Sequence, residues 1–298
     1  MTLRGAVASS QSFEPSAELA AMITGAEAAG AGLLERFRHR ADLVVELKGP
    51  ADFVSLADRE AEATLRERLR AACPRYGFLA EEGTDATGED AGTRFIVDPL
   101  DGTTNFLCGI PHFSVSIALE RAGRIAAGVV YDVPLGEMFV AESGRGAWLA
   151  AKTANGAWLG KERLAVTEDA DFSRALVATG IPHASRRDRH AAYLPALATV
   201  MRESAGVRRM ASAALDLAYV AAGRFAAYWE LGLSPWDIAA GALLVREAGG
   251  RVSEAGRDGE DANDANDERV VYAGDVLATN GRLHARMTAL LREARPSV

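Results

Sequence analysis

FIVDPLDGTTNF, residues 95–106, ends an apolar run on two acids, Asp98 and Asp101, and turns at once into glycine, two threonines and asparagine. Residues 95–97 read as the core of a strand. Pro99 removes a backbone donor, Gly102 permits a tight backbone path, and Thr103 or Thr104 can begin a helix. Free amides at a helix start attract an anion such as phosphate, whereas neighbouring carboxylates repel it. Both features belong together only if divalent cations sit between the acids and the phosphate, so the stretch predicts a metal-and-phosphate site.

Other acids stand where strands or turns end. Glu81 and Glu82 close the predicted strand GFLAEE, and Asp237 follows Trp236 in YWELGLSPWD. Taken singly, each is accounted for as a solvated turn residue or a helix N-cap, and spacing alone does not bring Glu81 and Asp237 to the 98–105 turn. Carboxylate and carbonyl oxygens without Cys or His nearby select Mg²⁺ over zinc. Two such cations offset four carboxylates, and a substrate phosphate brings the charge for a third, more weakly held one.

Composition narrows the setting. With 298 residues, 49% of them hydrophobic, the chain can fill a substantial core, and 25% charged residues without a Cys-rich or collagen-like pattern exclude disordered, disulfide-scaffold and fibrous classes. A net charge of −8 argues against affinity built on neutralising nucleic-acid phosphates, so direct nucleic-acid binding is not expected. Cys73 and Cys108 read as free thiols. The start of the sequence lacks the apolar core of a secretion signal, and no segment has the eighteen or so apolar residues that span a bilayer. The expectation is a cytoplasmic protein without membrane attachment.

Along the chain, residues 1–14 read as a flexible tail, 16–38 as an alanine-rich packed helix, 44–47 as an apolar strand and 56–72 as a second helix. From Gly77 the runs FLAEE, RFIVDP, HFSVSIALE, RIAAGVVYD, GEMFVAE and GAWLA predict a meandering antiparallel sheet ending near residue 150. Beyond it, strand candidates ALVATG, VRRM and AAYWE alternate with helices near 188–204, 213–222 and 236–248, and a last helix covers 282–293. Residues 15–298 thus form one domain, with an N-terminal half at 15–150 and a mixed α/β half at 151–298. The acidic stretch near 256–268 lacks the ligand spacing and glycine of a calcium loop and reads as solvated surface.

GFLAEE, FIVDPLDGTTNF and YWELGLSPWDIAAGALLVREAGG, in this order and at these separations, resemble the inositol monophosphatase family of magnesium-dependent, lithium-sensitive phosphatases. The likeness runs from about residue 16 to the C-terminal helix. It implies an α/β sandwich of the α+β type with alternating α-β-α-β-α layers, assembled as a homodimer, and two to three Mg²⁺ per active site. Carried over by position, Glu81, Asp98 and the main-chain carbonyl of Leu100 hold one metal, Asp98, Asp101 and Asp237 a second, and Glu81 faces a third. The amides of Gly102 and Thr103 take the phosphate, while Asp101, Glu230 and the main chain at Ala213 face substrate hydroxyls. Asp58 pairs with Thr103 to orient the attacking water, although from the residues alone it is an exposed helix acid. Two departures touch substrate fit and leave the metal ligands intact: Ala57 before Asp58, and Ala211, Ser212, Ala213 and Ala214 where the family has a GTAA-like turn.

The implied reaction is direct hydrolysis of a small-molecule phosphate ester by activated water, with Glu81, Thr103 and Asp58 as its catalytic residues and no phosphoenzyme. Inositol 1-phosphate is the first substrate expected. Relatives of similar fold act on sugar phosphates, histidinol phosphate or 3′-phosphoadenosine 5′-phosphate. The five histidines, His39, His112, His183, His190 and His284, show no paired metal spacing, and Ser55, Ser114 and Ser212 lack nucleophile-elbow surroundings. A function of another class, an interaction protein of the transcription machinery, enters because some bacterial relatives have that role; the pair Arg208 and Arg209 is then a candidate patch against the plainer reading of a salt bridge or dimer contact.

Overall fold

In the computed structural model, which describes residues 13–39, 45–49, 52–81, 83, 88–182, 189–256 and 268–294, Ser16 opens the first helix by accepting the Leu19 amide on its hydroxyl at 3.2 Å. Leu19, Met22, Ile23, Ala26, Ala29 and Leu33 then recur at helical spacing, and all are buried along one stripe of α1 (Ala17–Arg38). A two-stranded hairpin, β1 (Val45–Gly49) and β2 (Asp52–Ser55), leads into α2 (Leu56–Ala72), which packs beside α1 through Ala61, Leu65 and Leu69. Residues 1–12, Glu82, His183 and most of the acidic stretch, 257–267, lie outside the described residues.

The first sheet has seven strands in the order β3 (Gly77–Ala80), β4 (Thr93–Asp101), β5 (Ser114–Arg121), β6 (Arg124–Asp132), β7 (Glu137–Glu142), β8 (Gly146–Lys152) and β9 (Trp158–Arg163). It departs from the expected antiparallel meander in two ways. β3 and β4 run parallel, with Ala80 beside Val97, and the sheet continues past residue 150 through β9. Phe13, expected within the loose tail, bridges Gly160 with N–H···O distances of 3.0 and 2.9 Å and stacks on Trp148 at 5.6 Å. An aromatic of that size gains more from burial than the short segment loses on ordering.

Layers form on both faces of this sheet, which is why β5 and β6 are buried almost throughout rather than on alternate residues. On one side lie α1 and α2, with a core that includes Leu19, Leu65, Phe95 and Ile117. On the other lie α5 (Ala213–Ala221) and α6 (Pro235–Glu247), and every residue of α5 is buried. Gly128 on β6 allows the close approach: a Cβ there would stand 3.0 Å from the Ala240 carbonyl oxygen of α6.

The second sheet covers the far side of α5 and α6. Its order is β11 (Gly206–Arg208), β10 (Leu176–Thr179), β12 (Ala227–Leu231), β14 (Asp275–Thr279) and β13 (Arg251–Glu254), with β10 parallel to both its neighbours. Outermost are α4 (His190–Glu203) and α8 (His284–Glu293), whose Tyr193, Met287 and Leu290 share a core with Trp229 of β12. Two short α-helices, α3 (Thr103–Cys108) and α7 (Arg269–Ala273), and a 3-10 turn at Phe172–Arg174 complete the described elements. The layers therefore alternate α-β-α-β-α, as the resemblance implies. Each fully buried Leu, Ile or Phe contributes about 1.5–3 kcal/mol, so three stacked cores hold helix starts and strand ends in fixed register.

Candidate active site

In a regular strand, residues three apart face opposite sides of the sheet. Asp98 and Asp101 escape this because β4 is bulged between them: Asp98 pairs with Ser116 and Asp101 with Ser114, so three steps on β4 match two on β5. Pro99, with no N–H to give the ladder, occupies the bulge. The Leu100 amide turns back onto Asp98 Oδ1 at 2.9 Å. Both carboxylates consequently reach one cleft, where ligand oxygens of Asp98, Asp101 and Asp237 all lie within 4.8 Å of one another.

Each of the three is held by a different device. Asp237 sits at the third position of α6, where Ser234 and Asp237 form a reciprocal capping box and the Ser234 amide donates to Asp237 Oδ2 at 2.7 Å. Asp101 caps a helix from another strand. Ser212, at the N-cap of α5, gives its hydroxyl to Asp101 Oδ2 at 2.6 Å, and the Ala214 amide donates to the same oxygen at 2.8 Å. Ser114 adds a longer contact at 3.5 Å. With Oδ2 so occupied, Oδ1 keeps the lone pairs that a cation can use.

Glu81 follows β3 directly, and the parallel pairing sets it beside the end of β4, its amide donating to the Val97 carbonyl at 3.3 Å. Burial pushes the Asp98 carboxyl well above the usual carboxylate range, with the charges of Glu81, Asp101 and Asp237 adding to it against the Leu100 amide. Asp237 is raised in the same way, by burial first and then by Asp101. Burial also raises Asp101, opposed by its bonds from Ser212 and Ala214. Acids arranged to destabilise one another in this way, all with oxygen donors, fit hard divalent cations.

Thr103 starts α3 behind Gly102, whose φ of +98° and crowding against the His112 and Ala211 carbonyls leave no room for a side chain. The Thr103 hydroxyl lies 3.1 Å from both Asp58 Oδ1 and the Leu100 carbonyl. Asp58, an exposed helix acid on the residues alone, is 1% exposed in the first turn of α2. Leu100 is likewise buried, and its carbonyl retains a second lone pair beyond the Thr103 contact.

A second group of acids flanks this cleft. Glu230, on β12, accepts the Tyr228 hydroxyl at 2.6 Å. Burial pushes Glu230 up to about 7, against the Tyr228 bond, with the Asp101 charge adding and Arg209 opposing. Ala213 begins α5 and its amide also faces Asp101. Asp216, on the same helix, is pushed well above the ordinary range by burial and then by Glu230 and Asp101.

Sequence reading set Ser114 and Ser212 aside as nucleophiles without finding what they do, which is to orient Asp101. It also passed over Asn105, whose amide donates to the His112 and Met210 carbonyls at 2.8 Å and ties the motif to the turn before α5. No local signal marks the serines. Asn105 is not marked either, because it follows two threonines at a helix start, where polar residues are ordinary.

The chain matches the model described as "Inositol monophosphatase family" over residues 16–295. It is 45% identical over 282 residues to a Rhizobium meliloti protein named Inositol-1-monophosphatase, covering 95% of this chain and 98% of that one. A Pseudomonas aeruginosa protein named Nus factor SuhB is 44% identical, over 74% of this chain and 80% of its own. The crystal structure of the extragenic suppressor protein suhB from Bartonella henselae superposes with a TM-score of 0.82 at 43% identity, covering 93% of this chain and 99% of that one. With the clustered acids and the layered sandwich already described, these matches make the chain a member of the inositol monophosphatase family.

Proposed function

We propose that this protein is a Mg²⁺-dependent phosphomonoesterase that hydrolyses a small polyol phosphate, with inositol 1-phosphate the leading substrate, to the alcohol and inorganic phosphate. One observation carries this: ligand oxygens of Asp98, Asp101 and Asp237 gather within 4.8 Å beside Glu81, in a chain whose relatives include a protein named Inositol-1-monophosphatase. In this reading Glu81, Asp98 and the Leu100 carbonyl hold one cation, and Asp98, Asp101 and Asp237 another. When bound, the cations offset the clustered negative charge and make a water molecule easier to deprotonate.

The chain's own groups do the rest. Asp58, a buried acceptor, takes the single Thr103 hydrogen, so the Thr103 oxygen presents a lone pair to the attacking water. A proton leaving that water passes to Thr103 as the Thr103 proton passes to Asp58. The Gly102 and Thr103 amides face the phosphate, while Glu230 accepts from a hydroxyl of the leaving alcohol and the main chain at Ala213 contacts another. A panel of phosphate esters, assayed for free phosphate with and without Mg²⁺, tests this. Metal-dependent release greatest on inositol 1-phosphate is expected, with inhibition by millimolar lithium, and a strong preference for an adenine nucleotide overturns the polyol assignment. The homodimer belongs to the same reading and is tested by light scattering.

A second reading draws on the relatives named Nus factor SuhB: the chain serves as an interaction partner of the transcription machinery. Arg208, the last residue of β11, and Arg209 after it are both exposed, as such a patch requires. Complementation separates the two readings. If Asp98→Asn restores growth to a deletion strain, the essential role is not phosphate-ester hydrolysis.

A further inference from the structure

Gly180 follows β10 directly, and the parallel register of β10 with β12 pairs Thr179 with Trp229, so Gly180 lies alongside Glu230. The Gly180 amide donates to the Trp229 carbonyl at 3.4 Å, and Thr179 Oγ1 donates to that carbonyl at 2.9 Å, which pins the two strand ends together. A Cβ built on Gly180 would overlap the Glu230 carboxyl carbon and both its oxygens. The backbone at Gly180 does not explain the glycine, because its φ is not among the positive values that favour one. What demands the missing side chain is the Glu230 carboxylate.

From this we infer that Gly180 is the position that sets leaving-group specificity: it supplies the space in which the Glu230 carboxylate rests, and any side chain there turns Glu230 away from the alcohol. The inference deepens the polyol reading and rests on its assignment of Glu230. Glu230 is otherwise fixed by one bond, from the Tyr228 hydroxyl at 2.6 Å, and its carboxylate ends a flexible side chain. Displacement by a new methyl is thus inexpensive to the fold and costly to the geometry of the subsite. The alcohol then loses a hydrogen bond to an ionised acceptor, whereas an ester whose leaving group carries no hydroxyl has none to lose.

Gly180→Ala, Glu230→Ala and the double variant, compared with wild type on inositol 1-phosphate and p-nitrophenyl phosphate, test this through the ratio of kcat/KM values. Loss of one charged hydrogen bond corresponds to a fall of about tenfold or more in the polyol-to-nitrophenyl ratio, expected in both single variants, with the double variant no worse than Glu230→Ala. If Gly180→Ala keeps the wild-type ratio while Glu230→Ala loses it, or if the two effects multiply in the double variant, the role of Gly180 is overturned and the polyol reading survives. If Glu230→Ala itself keeps the ratio, the subsite reading fails and the inference falls with it. Should Gly180→Ala fold poorly, Gly180→Ser in the same ratio and a crystal structure showing the Glu230 rotamer decide; an unmoved carboxylate overturns the inference.

Discussion

Replacing Asp98 with Asn should change the stability of the protein in opposite senses with and without metal. Asp98 is 2% exposed, and its Oδ1 accepts the Leu100 amide at 2.9 Å, a bond that an Asn oxygen keeps. What changes is the other end of the side chain, where a carboxylate oxygen becomes an amide donor facing other acids. At the 4.8 Å limit of the cluster, each ionised neighbour repels Asp98 by at least about 3.5 kcal/mol with an effective dielectric near 20. Proton uptake by the cluster and water in the cleft relieve much of this, leaving a net gain of ~2 kcal/mol for Asp98→Asn in metal-free buffer at pH 8. That corresponds to a rise of about 3 °C in Tm for a chain of this length. On the proposed reading the order reverses with Mg²⁺, because the wild type gains binding free energy by mass action and the variant lacks a shared anionic ligand. Removing groups that merely support a metal ligand costs about 10–100-fold, so kcat/KM for the variant should fall by at least about a hundredfold. Differential scanning fluorimetry of both proteins in EDTA and across a Mg²⁺ titration reads the crossing directly. Equal Tm values in EDTA together with equal Mg²⁺-induced shifts would refute a metal-holding acid cluster.

Three further outcomes follow from the same geometry. Thr103→Ala should lower kcat about a hundredfold with little change in Mg²⁺ dependence, and Thr103→Ser should recover most of it, because the proposed role needs only the hydroxyl that Asp58 holds; a Ser variant as poor as Ala contradicts this. Ala211 holds a φ of +66°, which costs a non-glycine residue about 1–2 kcal/mol, so Ala211→Gly should raise stability by about 0.5–1 kcal/mol in chemical denaturation after the entropy of glycine is subtracted. Finally, acids whose folded-state pKa is raised stabilise the protein most below their unfolded values and lose that contribution as pH rises through the folded value. For Glu230 the window runs from 4.5 to about 7, so metal-free protein should lose stability across it and Mg²⁺ should restore stability at the upper end; a flat profile in EDTA is the contrary result.

The layered fold was legible in the sequence because its signals are local. The Leu19, Met22, Ile23, Ala26 stripe can only be one face of a helix, and S-x-x-D at Ser234 marks the start of α6. Parallel pairing of β3 with β4 was less accessible. Hairpins dominate the rest of that sheet, and only the length of the connection at residues 81–92, long enough for a crossover, hints that the chain returns in the same direction. Without that parallel pair Glu81 would not stand beside Asp98.

Why the site was readable in part comes down to what each acid does twice over. A capping aspartate and a metal-holding aspartate look alike in sequence, and Asp237 is bonded as the first while facing its neighbours as the second requires. Strand periodicity taken at face value separates Asp98 from Asp101; Pro99 is the sole trace of the bulge that rejoins them. Asp101 is the hardest case, because its carboxylate terminates β4 and caps a helix whose amide belongs to a residue 113 positions later. No pattern within either segment encodes that partnership. It exists because α5 packs against the face of the sheet on which the bulge turns both acids outward, so the stacking of layers that buries the core is the same event that closes the acids into one cleft.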